Sequence, residues 1–149
     1  MRATLPLALL IAACAAAGPV PLRWGEESCR HCHMTLADRR FGAEVITTRG
    51  RALAFDDAGC AAEHLATGET PAAEASSVWV IDYTHPDSLI AAESAVYVRS
   101  SAFHTPMGSG VVATPDSTVA NTLAYETTGK VMRWAEVLTA AKAGELRPH

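Results

Sequence analysis

The sequence predicts an α+β fold: two related ββαβ units in tandem with a C-terminal helix, preceded by a signal peptide and a short tether. Three observations predict it. A hairpin pattern followed by a capped helix and a strand occurs twice. The run Val78-Trp79-Val80-Ile81-Asp82-Tyr83 is β-branched and aromatic, which suits a pleated, half-buried strand. The third is the N-terminus, where an apolar run too short to cross a bilayer gives way to a Pro/Gly-containing stretch.

The elements follow in order. Ala43 to Thr48 reads as a strand, Arg49-Gly50-Arg51 as a turn, and Ala52 to Phe55 as the returning strand. Asp56 or Asp57 caps a helix running to about Ala66, which Gly68 and Pro71 stop. A small, polar loop leads to the Val78–Tyr83 strand, and His85 falls in a solvated turn after it. The second unit opens with strands at Ser94–Arg99 and Gly110–Ala113. Thr114 caps its helix with Pro115 at the first position, and Gly129 ends it after about Thr127. Lys130 to Arg133 is its last strand, and Ala135 to Ala143 is the closing helix, with Val137, Leu138 and Ala141 on one face. The units span residues 25–90 and 91–143, inside a domain over residues 25–149. They share little sequence identity, so the repeat is one of pattern.

Arg2 followed by the nine-residue apolar run Leu5–Ala13 fits a secretory signal. The run ends Ile11-Ala12-Ala13-Cys14, which resembles a bacterial lipobox, so residues 1–13 read as a lipoprotein signal peptide with Cys14 as the lipidation site. An ordinary cleavage near Ala15–Ala17 is the rival reading. Residues 14–24 then serve as a tether. The compartment is extracytoplasmic, with the chain lipid-anchored to a bacterial membrane and facing the periplasm, on the outer membrane in a Gram-negative cell. The formal net charge of −4 argues against nucleic acid or anionic lipid as a partner; the membrane enters through the anchor alone.

Residues 29–34 read Cys-Arg-His-Cys-His-Met, two thiols, two imidazoles and a thioether within six positions. With Cys14 lipidated, Cys29, Cys32 and Cys60 remain, an odd number that cannot all pair within the chain. The run supports three chemistries. Cys29-x-x-Cys32-His33 is the attachment signature of c-type haem, which would make an electron-transfer protein with Met107 or Met132 as a second axial ligand. Thiolates and thioethers are also the ligands that select Cu(I). A Cys29–Cys32 disulfide in a metal-free redox or structural lipoprotein is the third; so short a loop closure stabilises little. The mixed strands and helices and the lack of a helix before Cys29 speak against a small cytochrome. Zinc has only Cys60 and His64 as a spaced pair, at i, i+4 on the predicted helix, and Cys60 otherwise reads as a small buried hydrophobe. Met107 sits in a Thr105-Pro106-Met107-Gly108 turn suited to holding a thioether at a loop tip, with His104 three residues before it. There is no nucleophile–base arrangement, phosphate loop or carboxylate dyad, so no enzyme is expected.

Taken together, Cys29-x-x-Cys32-x-Met34, Phe55-Asp56-Asp57, Val80–Tyr83, Ala95–Val98, Thr105–Gly110 and Gly129-Lys130-Val131 resemble the NosL family of nitrous oxide reductase accessory lipoproteins. The resemblance covers about residues 24–140. It implies an extracytoplasmic Cu(I)-binding chaperone that delivers copper to nitrous oxide reductase or another extracytoplasmic cuproenzyme and its assembly proteins. It also implies two related ββαβ units, in agreement with the pattern. The ligands it implies lie among Cys29, Cys32, Met34 and Met107, with the subset left open; His33, His31 and His104 beside them are weaker candidates. Family members commonly carry glycine where this chain has His33, and that change is what creates the haem signature.

Overall fold

The computed structural model describes residues 18–147; the segment expected to be a signal peptide and the expected lipidation site at Cys14 lie outside the described residues. Among the described residues, seven strands form one sheet, and three α-helices cover its faces. In the first unit β1 (Ala43–Thr47), β2 (Ala52–Phe55), α1 (Ala58–Ala66) and β3 (Ala75–Asp82) follow in order. β4 (His85–Ala91) comes next, and the second unit is β5 (Val96–Arg99), β6 (Val111–Thr114), α2 (Ser117–Thr127) and β7 (Lys130–Met132). The closing helix α3 spans Trp134–Lys142. In both units the first strand is central and antiparallel to its two partners: the order is β2-β1-β3, then β6-β5-β7. The units join through a short parallel contact between β3 and β6, at Asp82 and Ala113. The tandem ββαβ pattern is thus a repeat of strand order, which sequence identity does not display.

β5 fixes the layers. Successive side chains on a strand point to opposite faces. Val96 and Val98 join Phe41, Phe103, Val112 and Ala120 under α2. Tyr97 points the other way, stacking on Trp134 of α3 with ring centroids 5.5 Å apart and donating its hydroxyl to Ala92 O (2.9 Å). On that face the larger core joins Val45, Leu53, Phe55 and Val80 to α1 and α3. The later half of the expected tether lies against it: Leu22 and Trp24 pack on this core, and a Cβ on Gly42 would fall 2.6 Å from Trp24 Cη2.

Three local expectations change. β4 replaces the solvated turn at His85; its mixed polar sequence hides the strand, and Pro86 is tolerated because β4 pairs with β3 alone. His85 is exposed, with Nδ1 3.1 Å from Asp82 Oδ2. Asp116, not Thr114, caps α2, accepting the Thr118 and Val119 N–H groups, so Pro115 precedes the helix. Thr114 is instead fully buried at the end of β6 and donates its hydroxyl to Val96 O (2.7 Å). The helix ends on Thr128 in a left-handed conformation (φ 52°), one residue before Gly129.

A β-branched residue in that conformation costs on the order of 1 kcal/mol. Thr128 is exposed, so Thr128→Gly relieves the strain without removing core contacts. Thermal unfolding of the variant is expected to shift up by roughly 4 °C; an equal or lower midpoint contradicts the strain.

Candidate metal centre

The Cys29–Met34 run folds into a tight loop. Ser28 and Thr35 form an isolated antiparallel bridge, Cys29 N–H donates to Met34 O (2.8 Å), and His33 N–H donates back to Cys29 O (3.0 Å). Arg30 N–H ties the loop to β2 through Ala54 O (2.8 Å). Closing so short a loop puts His33 at φ 63°, a conformation glycine adopts freely. The residue that completes the haem signature therefore occupies a strained position.

The loop turns Cys29 inward, 1% exposed, and leaves Cys32 partly buried. α1 brings up Cys60, 2% exposed, and the Sγ atoms of Cys29, Cys32 and Cys60 all lie within 4.8 Å of one another. All three are free thiols. Cys60 is thus both a buried core residue and a member of the sulfur cluster. The odd thiol count was the sequence signal for it; the fold supplies the proximity across 28 residues of chain.

Two carboxylates organise the cluster. Asp57 caps α1 by accepting Cys60 N–H (2.7 Å), which sets the Cys60 backbone. Its other oxygen accepts Met107 N–H and the Ser109 hydroxyl, each at 3.4 Å. The Thr105–Gly108 turn, closed by Gly108 N–H to Thr105 O (2.9 Å), is thereby held against the start of α1. The fit is tight: a Cβ on Gly59 would meet Ser109 Cβ at 2.5 Å. Asp56 faces Cys32, whose thiol points at Oδ2 from 3.9 Å, while Asp56 Oδ1 is buried without a partner.

The electrostatics favour one thiolate. The Cys60 thiol, hydrogen-bonded to Cys29, holds Cys29 down to about 5 against its burial. Burial pushes Cys32 up to about 11, and its bond to Cys29 together with burial raises Cys60. Burial, reinforced by the negative charges of Cys29 and Asp57, pushes Asp56 up to about 6. Burial also raises Asp57, opposed by the N–H groups of Cys60 and Met107. At neutral pH the three thiols share one negative charge, a soft and desolvated donor.

A cavity of about 450 Å³ opens beside the cluster, lined by Cys32, Cys60, Met107, His31 and Glu63 among others. Met107 is 40% exposed. Met34 is 52% exposed and does not line the cavity; neither do His33 and His104, both exposed. His31 lines it, but both ring nitrogens are engaged, Nδ1 with Glu69 Oε1 (2.9 Å) and Nε2 with Glu63 Oε2 (3.1 Å). The Cys60/His64 pair separates: Cys60 faces the thiols, while His64 bonds Thr70 Oγ1 through Nε2 (2.8 Å). Desolvation lowers the His64 pKa and keeps the ring neutral. The arrangement does not suit haem. A ring attached through both sulfurs and capped by His33 needs all three on one open face, whereas Cys29 is sealed against Cys60 and His33 is exposed.

Two outcomes follow. Asp56 binds its proton more tightly folded than unfolded, so its contribution to stability is present below about pH 4 and lost as pH rises through 6. Asp56→Asn removes the loss: in denaturant unfolding of the reduced protein, its advantage over the parent is expected to grow from nothing at pH 4 to about 1 kcal/mol at pH 7. A difference independent of pH contradicts the assignment. His33→Gly is expected to add about 1 kcal/mol to stability by removing left-handed strain. A destabilised variant would mean that the His33 side chain makes a contact worth more than the strain.

A family model described as NosL matches residues 19–141. The crystal structure of the copper chaperone NosL from Shewanella denitrificans has the same fold, with a TM-score of 0.69 over 82% of this chain and 96% of that one. The two sequences are 17% identical. No curated protein matches the chain. A match along nearly all of the described residues, on this fold, places the chain in the NosL family.

Proposed function

We propose that this protein is an extracytoplasmic Cu(I) chaperone whose binding residues are Cys29, Cys32, Cys60 and Met107. The observation that carries the reading is the approach of three Sγ atoms within 4.8 Å of one another beside a cavity that Met107 lines. Thiolate and thioether donors select Cu(I), and a trigonal set of sulfurs suits its loose geometric demands. The Shewanella denitrificans protein that shares the fold is described as a copper chaperone, which supports the same cargo.

The chemistry follows from the protonation states. Cys29 offers a ready thiolate. A second thiolate must lose its proton as the ion binds, and Asp56 Oδ2 lies 3.9 Å from the Cys32 sulfur to receive it. Met107, exposed in the cavity wall, is the ligand an incoming partner reaches first, so transfer proceeds by exchange of ligands from that side. The recipient is an extracytoplasmic cuproenzyme, nitrous oxide reductase in the reading the sequence resemblance supports. Cys14 carries the lipid that keeps the carrier at the membrane. The protein carries its cargo and performs no turnover.

The test is a Cu(I) titration of the mature, reduced protein against a chromophoric chelator, after export in a host that matures c-type cytochromes. One Cu(I) per chain and no haem absorption are expected. Cys29→Ser and Cys60→Ser should each weaken binding at least tenfold, about 1.4 kcal/mol, and Met107→Leu less. Covalent haem, or parental affinity in both serine variants, overturns the reading.

A further inference from the structure

The three clustered thiols differ in access. Cys29 is sealed, and Cys60 borders the cavity with almost none of its surface open. Cys32 alone is partly buried, and it lines the same cavity beside Met107. We propose that Cys32 is a thiol–disulfide exchange site: it forms a mixed disulfide with an exported thiol oxidoreductase, and Cys29 resolves it, so that the empty protein closes into a Cys29–Cys32 disulfide and leaves Cys60 as a thiol.

Access sets the order of attack. A partner disulfide reaches the cluster through the cavity, and there it meets Cys32. Cys29 Sγ then stands within 4.8 Å of Cys32 Sγ. The gap left to a bond of about 2 Å is of the size that one χ1 rotation at Cys32 covers. Cys60 Sγ is equally near but is the poorer resolver. Its thiol is hydrogen-bonded to Cys29, which keeps Cys29 the nucleophile. Its backbone is also fixed, since Cys60 N–H donates to Asp57 Oδ1 at 2.7 Å. Cys29 and Cys32 share one loop, so joining them leaves α1 where it is.

The exchange balances. In the first step the Cys32 sulfur attacks one sulfur of the partner disulfide, and the other leaves as a thiol. The Cys32 proton passes to that leaving sulfur by way of Asp56 Oδ2, 3.9 Å from Cys32 Sγ. In the second step the Cys29 thiolate attacks Cys32 Sγ and expels the remaining partner sulfur as a thiolate. Two electrons move from the cluster to the partner, whose disulfide becomes a dithiol. A dithiol partner runs the sequence backwards, entering again at Cys32. The exchange uses the sulfurs alone and stands without the Cu(I) reading. Its consequence rests on that reading: closure removes two proposed donors at once, so loading waits for a reductant.

Glutathione is the probe for the partner. Metal-free mature protein is equilibrated in buffers of reduced and oxidised glutathione, quenched in acid, alkylated and mapped with trypsin. Cleavage after Arg30 separates Cys29 from Cys32, so each possible pair leaves a different linked pair of peptides. The expected map has Cys29 joined to Cys32 and Cys60 alkylated, and Cys60→Ser should form the same bond. Cys32→Ser should oxidise at least tenfold more slowly, and Cys29→Ser should accumulate the Cys32–glutathione adduct. The proposal is overturned by a bond to Cys60 in the parent, by thiols that stay reduced in the most oxidising buffer, or by parental oxidation rates in either variant. The parental map decides the pairing even where a serine variant does not fold.

Discussion

The Asp57 carboxylate is the joint on which the candidate site depends. One oxygen caps the helix that carries Cys60; the other receives the Met107 N–H and the Ser109 hydroxyl from the second unit. A helix N-terminus leaves backbone N–H groups without partners, and a carboxylate is the strongest side-chain acceptor for them. Here the same group also pins a loop some fifty residues away. The two ββαβ units share only a short parallel seam in the sheet, so this buried carboxylate sets how their functional loops face one another.

Burial of the thiols does more than protect them. Three cysteines in water would be mostly protonated at neutral pH, each well solvated. Packed together, they concentrate a single charge on Cys29, with Cys60 donating to it. Desolvation then limits how many protons the cluster gives up before an ion arrives. The His31, His64 and Glu69 side chains next to it pair with one another instead. A 9-residue helix serves both, turning Cys60 to one and His64 to the other.

Much of this architecture can be read in the chain, and the limits have physical causes. Hairpin, cap and strand patterns gave six of the strands and all three helices, because each of those segments has a local signature. β4 has none: a strand containing Pro86 and Asp87 persists through its pairing with β3, a tertiary effect. The α2 cap moved from Thr114 to Asp116 because burial and the Val96 carbonyl claim the Thr114 hydroxyl. In the site, the short loop and the Pro-Met-Gly turn mark Cys29, Cys32 and Met107 by local spacing. Cys60 looks like any small core residue until α1 is packed on the loop. Met34 reads as a ligand from spacing, yet the turn that carries it leaves it half exposed.

His33 and the burial of Cys29 together have a consequence for the order of events as the chain folds. A haem-attachment signature is recognised in an extended, accessible chain, and this chain displays one until the loop closes. Once Cys29 is sealed against Cys60, the two sulfurs and the imidazole no longer present a common face. Folding is thus a kinetic competitor of covalent modification, and the speed with which α1 docks on the loop decides the chemical fate of the cysteines.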